Sequence, residues 1–173
     1  MKHTKNILKS LLITVMALSL LAVSCKKDEG GSKPTDPTPI TITVDNITTG
    51  FTALGKTKDI GGVVFDFSAF TANKQAVELT AQSGKASSID TLKTALGNLG
   101  ITIAGATVLS AVEGEIKDEA NNAATVKVTI TPSANNTFDA KVGASYTVNN
   151  TGAVEVTLTL KPNTGKKWTE AQQ

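Results

Sequence analysis

Carboxylates are the one reactive side-chain class that this 173-residue chain supplies in number, 15 in all. They are densest in Glu113-Gly-Glu-Ile-Lys-Asp-Glu-Ala-Asn-Asn122, where Glu113, Glu115, Asp118 and Glu119 stand beside two amides. Such a set is a candidate Ca²⁺ cradle, because calcium takes roughly six to eight oxygen ligands. The spacing matches no EF-hand loop and Lys117 lies inside the run, so a solvated acidic loop is the simpler expectation. Asp66, Glu78 and the 113–119 cluster are also where carboxylate-driven glycoside hydrolysis would have to reside. That chemistry needs two carboxyl groups lining one cleft, about 5–5.5 Å apart for retention or about 6.5–9.5 Å for inversion. The remaining toolkit is thin. There is no arginine, the only histidine is His3 and the only cysteine is Cys25. Beyond residue 25 this excludes Ser-His-Asp and Cys-His catalysis, and zinc sites made of imidazole or thiolate. Lacking arginine's planar fork, the chain is not expected to bind nucleic acid. No cofactor is expected, and the chain reads as a non-enzyme.

Two aromatic residues are weak candidates for ligand contact. Trp168, in Gly165-Lys-Lys-Trp168, could stack on a sugar ring beside the lysines, and Tyr146 alternates with Ala144 and Val148. For both, packing into the core is the favoured expectation. Phe51, Phe65, Phe67 and Phe70 read as core outright.

The N-terminus carries a different kind of signal. Lys2, Lys5 and Lys9 precede the apolar run Leu11-Leu-Ile-Thr-Val-Met-Ala-Leu-Ser-Leu-Leu-Ala-Val23, and Ser24 precedes Cys25. The run suits a signal h-region and is short for a bilayer span, which needs about 20 residues. Leu21-Ala-Val-Ser-Cys25 resembles the lipobox of bacterial lipoproteins, with Ala22 where leucine is usual. The following Lys26-Lys-Asp-Glu29 resembles the lipoprotein export signal of Bacteroidota, carried here by Lys27, Asp28 and Glu29. The resemblance implies removal of residues 1–24, acylation of Cys25 (a palmitate-bearing anchor) and display on the outer face of the outer membrane. A periplasm-facing lipoprotein is the main alternative, ahead of an uncleaved anchor or a secreted protein. Asp90-Thr-Leu92 is similar to the O-glycosylation tripeptide of the same phylum, which would make Thr91 an acceptor.

Residues 25–39 contain Pro34, Pro37 and Pro39 among small and charged residues, and read as a lipidated, disordered tether. At about 3.1 Å per residue in extended polyproline conformation, it reaches roughly 40 Å. Loss of the three signal lysines takes the 17 lysines to 14 against 15 acids, a net charge of −1.

Residues 40–173 read as a single β-rich domain. Val126, Val128 and Ile130 alternate with Lys127, Thr129 and Thr131. Val154, Val156, Leu158 and Leu160 alternate with Glu155, Thr157, Thr159 and Lys161. The same period marks Ile40–Asp45 and Val63–Phe67, with shorter candidates at Ala76–Thr80, Ile101–Ala104, Thr107–Val112 and Ala144–Val148. Each has one apolar and one polar face, the mark of antiparallel sheets with one wet side. Asn121–Thr131 echoes Asn149–Thr159 and suggests two equivalent strands of one sheet. One short helix is expected near 88–99, capped by Ser87 or Ser88, with Ile89, Leu92, Leu96 and Leu99 at helical spacing. The expected fold is mainly β, an antiparallel β-sandwich of immunoglobulin-like type with that helix inserted; α+β is the alternative.

These readings point to a lipid-anchored surface module, non-catalytic, that binds a glycan or a protein or serves an outer-membrane complex. Its partner through Cys25 would be the membrane itself. A fimbrial-type structural subunit, assembling by donated strands, is the alternative, and a carboxylate-dependent glycoside hydrolase ranks third.

Overall fold

The computed structural model describes residues 38–173. The expected signal segment 1–24, Cys25, the expected export residues Lys27, Asp28 and Glu29, and all but the last residues of the expected tether lie outside the described residues. The elements run β1 (Thr41–Ile42), α1 (Val44–Thr52), β2 (Lys58–Ile60), β3 (Val63–Phe65), β4 (Val77–Thr80), β5 (Ser83–Gly84), α2 (Ile89–Leu96), β6 (Ala106–Glu113), β7 (Ala124–Pro132), β8 (Thr137–Phe138), α3 (Val142–Ser145), β9 (Thr147–Val148) and β10 (Val154–Lys161).

The longest strands form where valine alternates most regularly with polar residues. β10 and β7 bury every second side chain: Val154, Val156, Leu158 and Leu160 on one, Ala124, Val126, Val128 and Ile130 on the other. They pair antiparallel with Val156 opposite Val128 and Leu158 opposite Val126. The two copies of the internal echo are therefore neighbours in one sheet. β6 flanks β7 antiparallel, β4 flanks β10 in parallel, and β9 pairs with the start of β10. The resulting five-stranded sheet runs β4-β10-β7-β6 and is mixed. β2, β3 and β5 make a second, antiparallel sheet, and β1 pairs parallel with β8. The fold is thus mainly β, in three open sheets.

One apolar cluster joins them. Ile42, Ile47, Phe51, Phe65, Phe67, Leu92 and Leu96 are fully buried together with the inner residues of β7 and β10. Phe51 stacks on Phe70 with ring centroids 4.1 Å apart. The helix α2 lies where the spacing of its leucines requires, with Ser88 Oγ accepting from Thr91 N at its start.

Three local expectations change. Residues 40–45 do not continue as a strand: β1 stops at Ile42 and α1 begins at Val44. Thr43 accepts from Asn46 N while the Asn46 side chain accepts from Thr43 N, a reciprocal cap that starts a helix inside β-like composition. Ile101–Ala104 is not a strand, since Gly100 and Gly105 both take positive φ and break the chain on either side. Ala144–Val148 splits into the end of the turn α3 and the two-residue β9.

Candidate functional site

Among the described residues, one face of the five-stranded sheet carries the half-buried and exposed positions of its strands. Because directly paired residues share a face, the pairings place Thr107 beside Thr131, Leu109 beside Thr129, Ala111 beside Lys127 and Glu113 beside Thr125. Across β10 the same rows continue through Glu155, Thr157 and Thr159, and Glu78 of β4 stands beside Thr159. Strands about 4.8 Å apart space these side chains regularly, with threonine the commonest among them. Its charges are paired. Lys127 Nζ lies 3.0 Å from Glu113 Oε1 and 3.9 Å from Glu155 Oε2, and Lys161 Nζ lies 2.7 Å from Glu78 Oε2. The hydrogen bond to Glu113, then the charges of Glu113 and Glu155, hold the Lys127 ammonium above the usual lysine range.

The acidic stretch of the sequence is divided by this arrangement. Glu113 belongs to the sheet and its ion pair. Asp118 faces the C-terminal loop, accepting from Thr169 Oγ1 at 2.7 Å and from Thr169 N at 3.3 Å. Asn121, in the left-handed region at φ 64°, accepts from Gly165 N at 2.6 Å and donates from its own N to Lys166 O. The hairpin loop after β6 is therefore stapled to the loop after β10. Of the calcium candidates Glu113, Glu115, Asp118 and Glu119, the first and third thus hold separate partners, and no group of three acidic side chains comes together among the described residues.

Both candidate aromatic contacts are also corrected. Trp168 has no exposed surface and packs against Phe65, ring centroids 6.2 Å apart. Tyr146 is equally buried, and its hydroxyl pairs with Thr48 Oγ1 at 2.8 Å. A ring with no solvent-facing surface cannot stack on an arriving ligand. Burial pushes the Tyr146 hydroxyl above its usual range; the Thr48 hydrogen bond opposes the rise and the Asp45 charge adds to it.

Thr91 is exposed on the first turn of α2, its Oγ1 within 3.1 Å of Ser87 Oγ and 3.0 Å of Ser88 Oγ. Asp90 is exposed beside it, while Leu92 is in the core. Asp66 is spent on its own turn, accepting from Ser68 N and Oγ at 2.8 and 2.6 Å. Those bonds, the side-chain one foremost, hold its carboxyl below the usual aspartate range. Asp66 is thus committed to a turn and Glu78 to Lys161.

A pocket of about 360 Å³ that the sequence reading missed is lined by Thr43, Asp45, Asp139 and Lys141. Asp139 Oδ1 accepts from Lys141 N at 2.8 Å within it. Asp45 and Asp139 lie 94 positions apart, and only the β1–β8 pairing brings them together.

The outer edge of β6 is the other unusual surface. Ser133 N donates to Gly105 O, so 105 and 133 form a bonded pair, and antiparallel alternation assigns the odd residues of β6 to bonds with β7. The N–H and C=O groups of Val108, Ser110 and Val112 consequently point outward. Ala106 N, the first outward donor, bonds to Ile103 O. Beside this edge runs a groove of about 230 Å³ between residues 97–101 and Val108–Ser110. Leu109, 66% exposed, is the most exposed large apolar side chain among the described residues.

No protein-family model matches the chain, and no curated protein or solved structure matches it. No helix among the described residues is long and apolar enough to cross a membrane.

Proposed function

We propose that this chain is a lipid-anchored surface lipoprotein of the outer membrane whose β-domain is a non-catalytic binding module for a glycan or a protein. One observation carries the reading: among the described residues the five-stranded sheet turns a threonine-rich face outward, with its charges already paired. A face of half-exposed hydroxyls at regular spacing offers donors and acceptors with little side-chain entropy to lose, since threonine is stiff at χ1. Recognition would run through hydrogen bonds, because Trp168 and Tyr146 are buried. The lipobox-like Leu21–Cys25 and the Lys27-Asp28-Glu29 signal support the anchor and its outward display. The lack of His, Arg and thiol after residue 25 supports a non-catalytic role. We also read the two larger sheets as sandwich-like layers, supported by the single cluster that holds Phe65 of β3 with Val128 and Val156. A second reading, a structural assembly subunit, draws on the outer edge of β6, unpaired among the described residues.

Two measurements test the proposal. Palmitate labelling should disappear on Cys25→Ala; label that persists refutes the anchor. Glycan and host-protein arrays probed with the full chain should give a ligand whose binding falls at least about tenfold, or 1.4 kcal/mol, on Thr129→Arg or Thr157→Arg. Asn150→Arg, on an exposed turn, should leave it unchanged. A ligand indifferent to both face substitutions refutes the platform.

A further inference from the structure

We propose that the strap Pro162–Gln172, which follows β10, is an autoinhibitory latch: it occupies the outer edge of β5 and opens as one unit while the five-stranded sheet stays formed. Ala81 N donates to Lys161 O where the chain leaves the large sheet. The strap then crosses to the small sheet. Gln172 N donates to Gly84 O at 2.7 Å, an antiparallel bridge, and Ala86 N donates to Trp168 O at 2.9 Å. β5 is bonded to β3 along its other side. Sheet edges are commonly covered by a loop, and this strap is the loop that covers β5.

The strap is tied to itself as well as to the core. Gln172 is 1% exposed. Its Oε1 accepts from Asn163 N at 2.8 Å, and its Nε2 donates to Lys167 O at 2.6 Å and to Glu170 O at 2.9 Å. One side chain thus joins both ends of the strap to its middle, so the segment moves as a body. Trp168 projects from it into the core against Phe65. Thr169 bonds to Asp118 and Gly165 to Asn121, both in the loop after β6. Among the described residues, none of the strap's hydrogen bonds reaches β6, β7 or β10. Opening therefore costs the strap's own bonds and the burial of Trp168, and breaks no ladder of the large sheet. Two groups favour release: Asn163 Nδ2 and Trp168 Nε1 are buried with no hydrogen-bond partner among the described residues, and water would satisfy both donors. Partial openings are drawn from segments that are held in this way.

Release uncovers a defined site. Gly84 O and Ala86 N become an acceptor and a donor on a free strand edge, beside the ring of Phe65. Such an edge takes an extended chain through backbone bonds, and the neighbouring pocket selects its side chain. The seated strap displays the chain that fits, with an indole at the place of Trp168. A second segment of that kind must compete with the strap, so its apparent affinity scales with the fraction of open molecules.

The test is hydrogen exchange of the full chain in urea below the unfolding transition. The amides of Ala86, Gly165 and Gln172, bonded to different partners, should share one opening that precedes exchange of the Val156 amide in the β7–β10 ladder. Gln172→Ala should speed all three at least about tenfold, since it forfeits three hydrogen bonds. Val128→Ala should speed Val156 and leave the three at the parent rate, because Val128 stays packed in the open form. A synthetic peptide of residues 162–172 should bind the Trp168→Ala protein at least about tenfold more tightly than the parent, with a blue shift of the peptide's indole fluorescence. Reporters that open separately or only with Val156 would overturn the proposal. So would a Val128→Ala effect on them as large as on Val156, or a peptide that does not distinguish the two proteins.

Discussion

Gly50 gives the sharpest quantitative test of the packing. It lies near the end of α1, buried, with an ordinary helical backbone. A Cβ placed there would stand 2.7 Å from Ile103 Cγ1, 3.1 Å from Thr102 O and 3.4 Å from Ile103 Cδ1. Two effects of Gly50→Ala oppose each other. Alanine in a helix interior gains about 1 kcal/mol over glycine, and less this close to the end, where few helical bonds remain to be stabilised. Against it, a methyl forced into a filled site costs typically 1–3 kcal/mol. The obstructing atom is a mid-chain carbon of a residue only 4% exposed, backed by a backbone oxygen, so neither can swing away. Overpacking should win, leaving the domain about 1 kcal/mol less stable, or roughly 3–5 °C in Tm for a domain of this size. Ile103→Ala alone should cost about 2–5 kcal/mol. In the double variant the new methyl occupies vacated space, so the combined cost should fall short of the sum by about 1 kcal/mol. Urea unfolding followed by fluorescence of Trp168, the only tryptophan, reads all four proteins. A more stable Gly50→Ala, or costs that add within about 0.5 kcal/mol, would refute the close approach of α1 to residues 102–103.

Two further outcomes follow from individual side chains. Because the Tyr146 hydroxyl sits above its ordinary value of 10.0, the unfolded chain releases that proton first. The stability it carries is whole below about pH 10 and is lost as pH rises through the higher native value. Tyr146→Phe should therefore lose about 1 kcal/mol at neutral pH, where the Thr48 bond is forfeited, and show a shallower alkaline decline by pH-dependent urea titration; parallel curves would contradict the burial. Asn121→Ala should destabilise by about 1–2 kcal/mol, from the lost bond to Gly165 and the left-handed backbone. Hydrogen exchange should show the Gly165 amide losing protection while β7 amides keep theirs.

Much of the interior was legible from residue order, because face alternation is a local property. The valine periods of β7 and β10, the leucine spacing of α2 and its Ser88 cap each depend on neighbours within a few positions, and the residues they assign to the core are buried there except Ile89, which is partly buried. Even α1 left a local sign, the Thr43–Asn46 pair, outweighed by the β-branched residues around it. Other features depend on which distant segments pair, and no short window records that. The parallel seat of β4 on β10 joins residues about 80 positions apart. Asp45 met Asp139 by the same kind of long-range pairing. The acidic run at 113–119 lost its apparent unity when Lys127 took Glu113 and Thr169 took Asp118. Composition thus set the polar faces of the strands and the small choice of chemistry; tertiary pairing decided which face turned outward and which strands stood at the edges, because those outcomes are set by contacts between segments far apart in the chain.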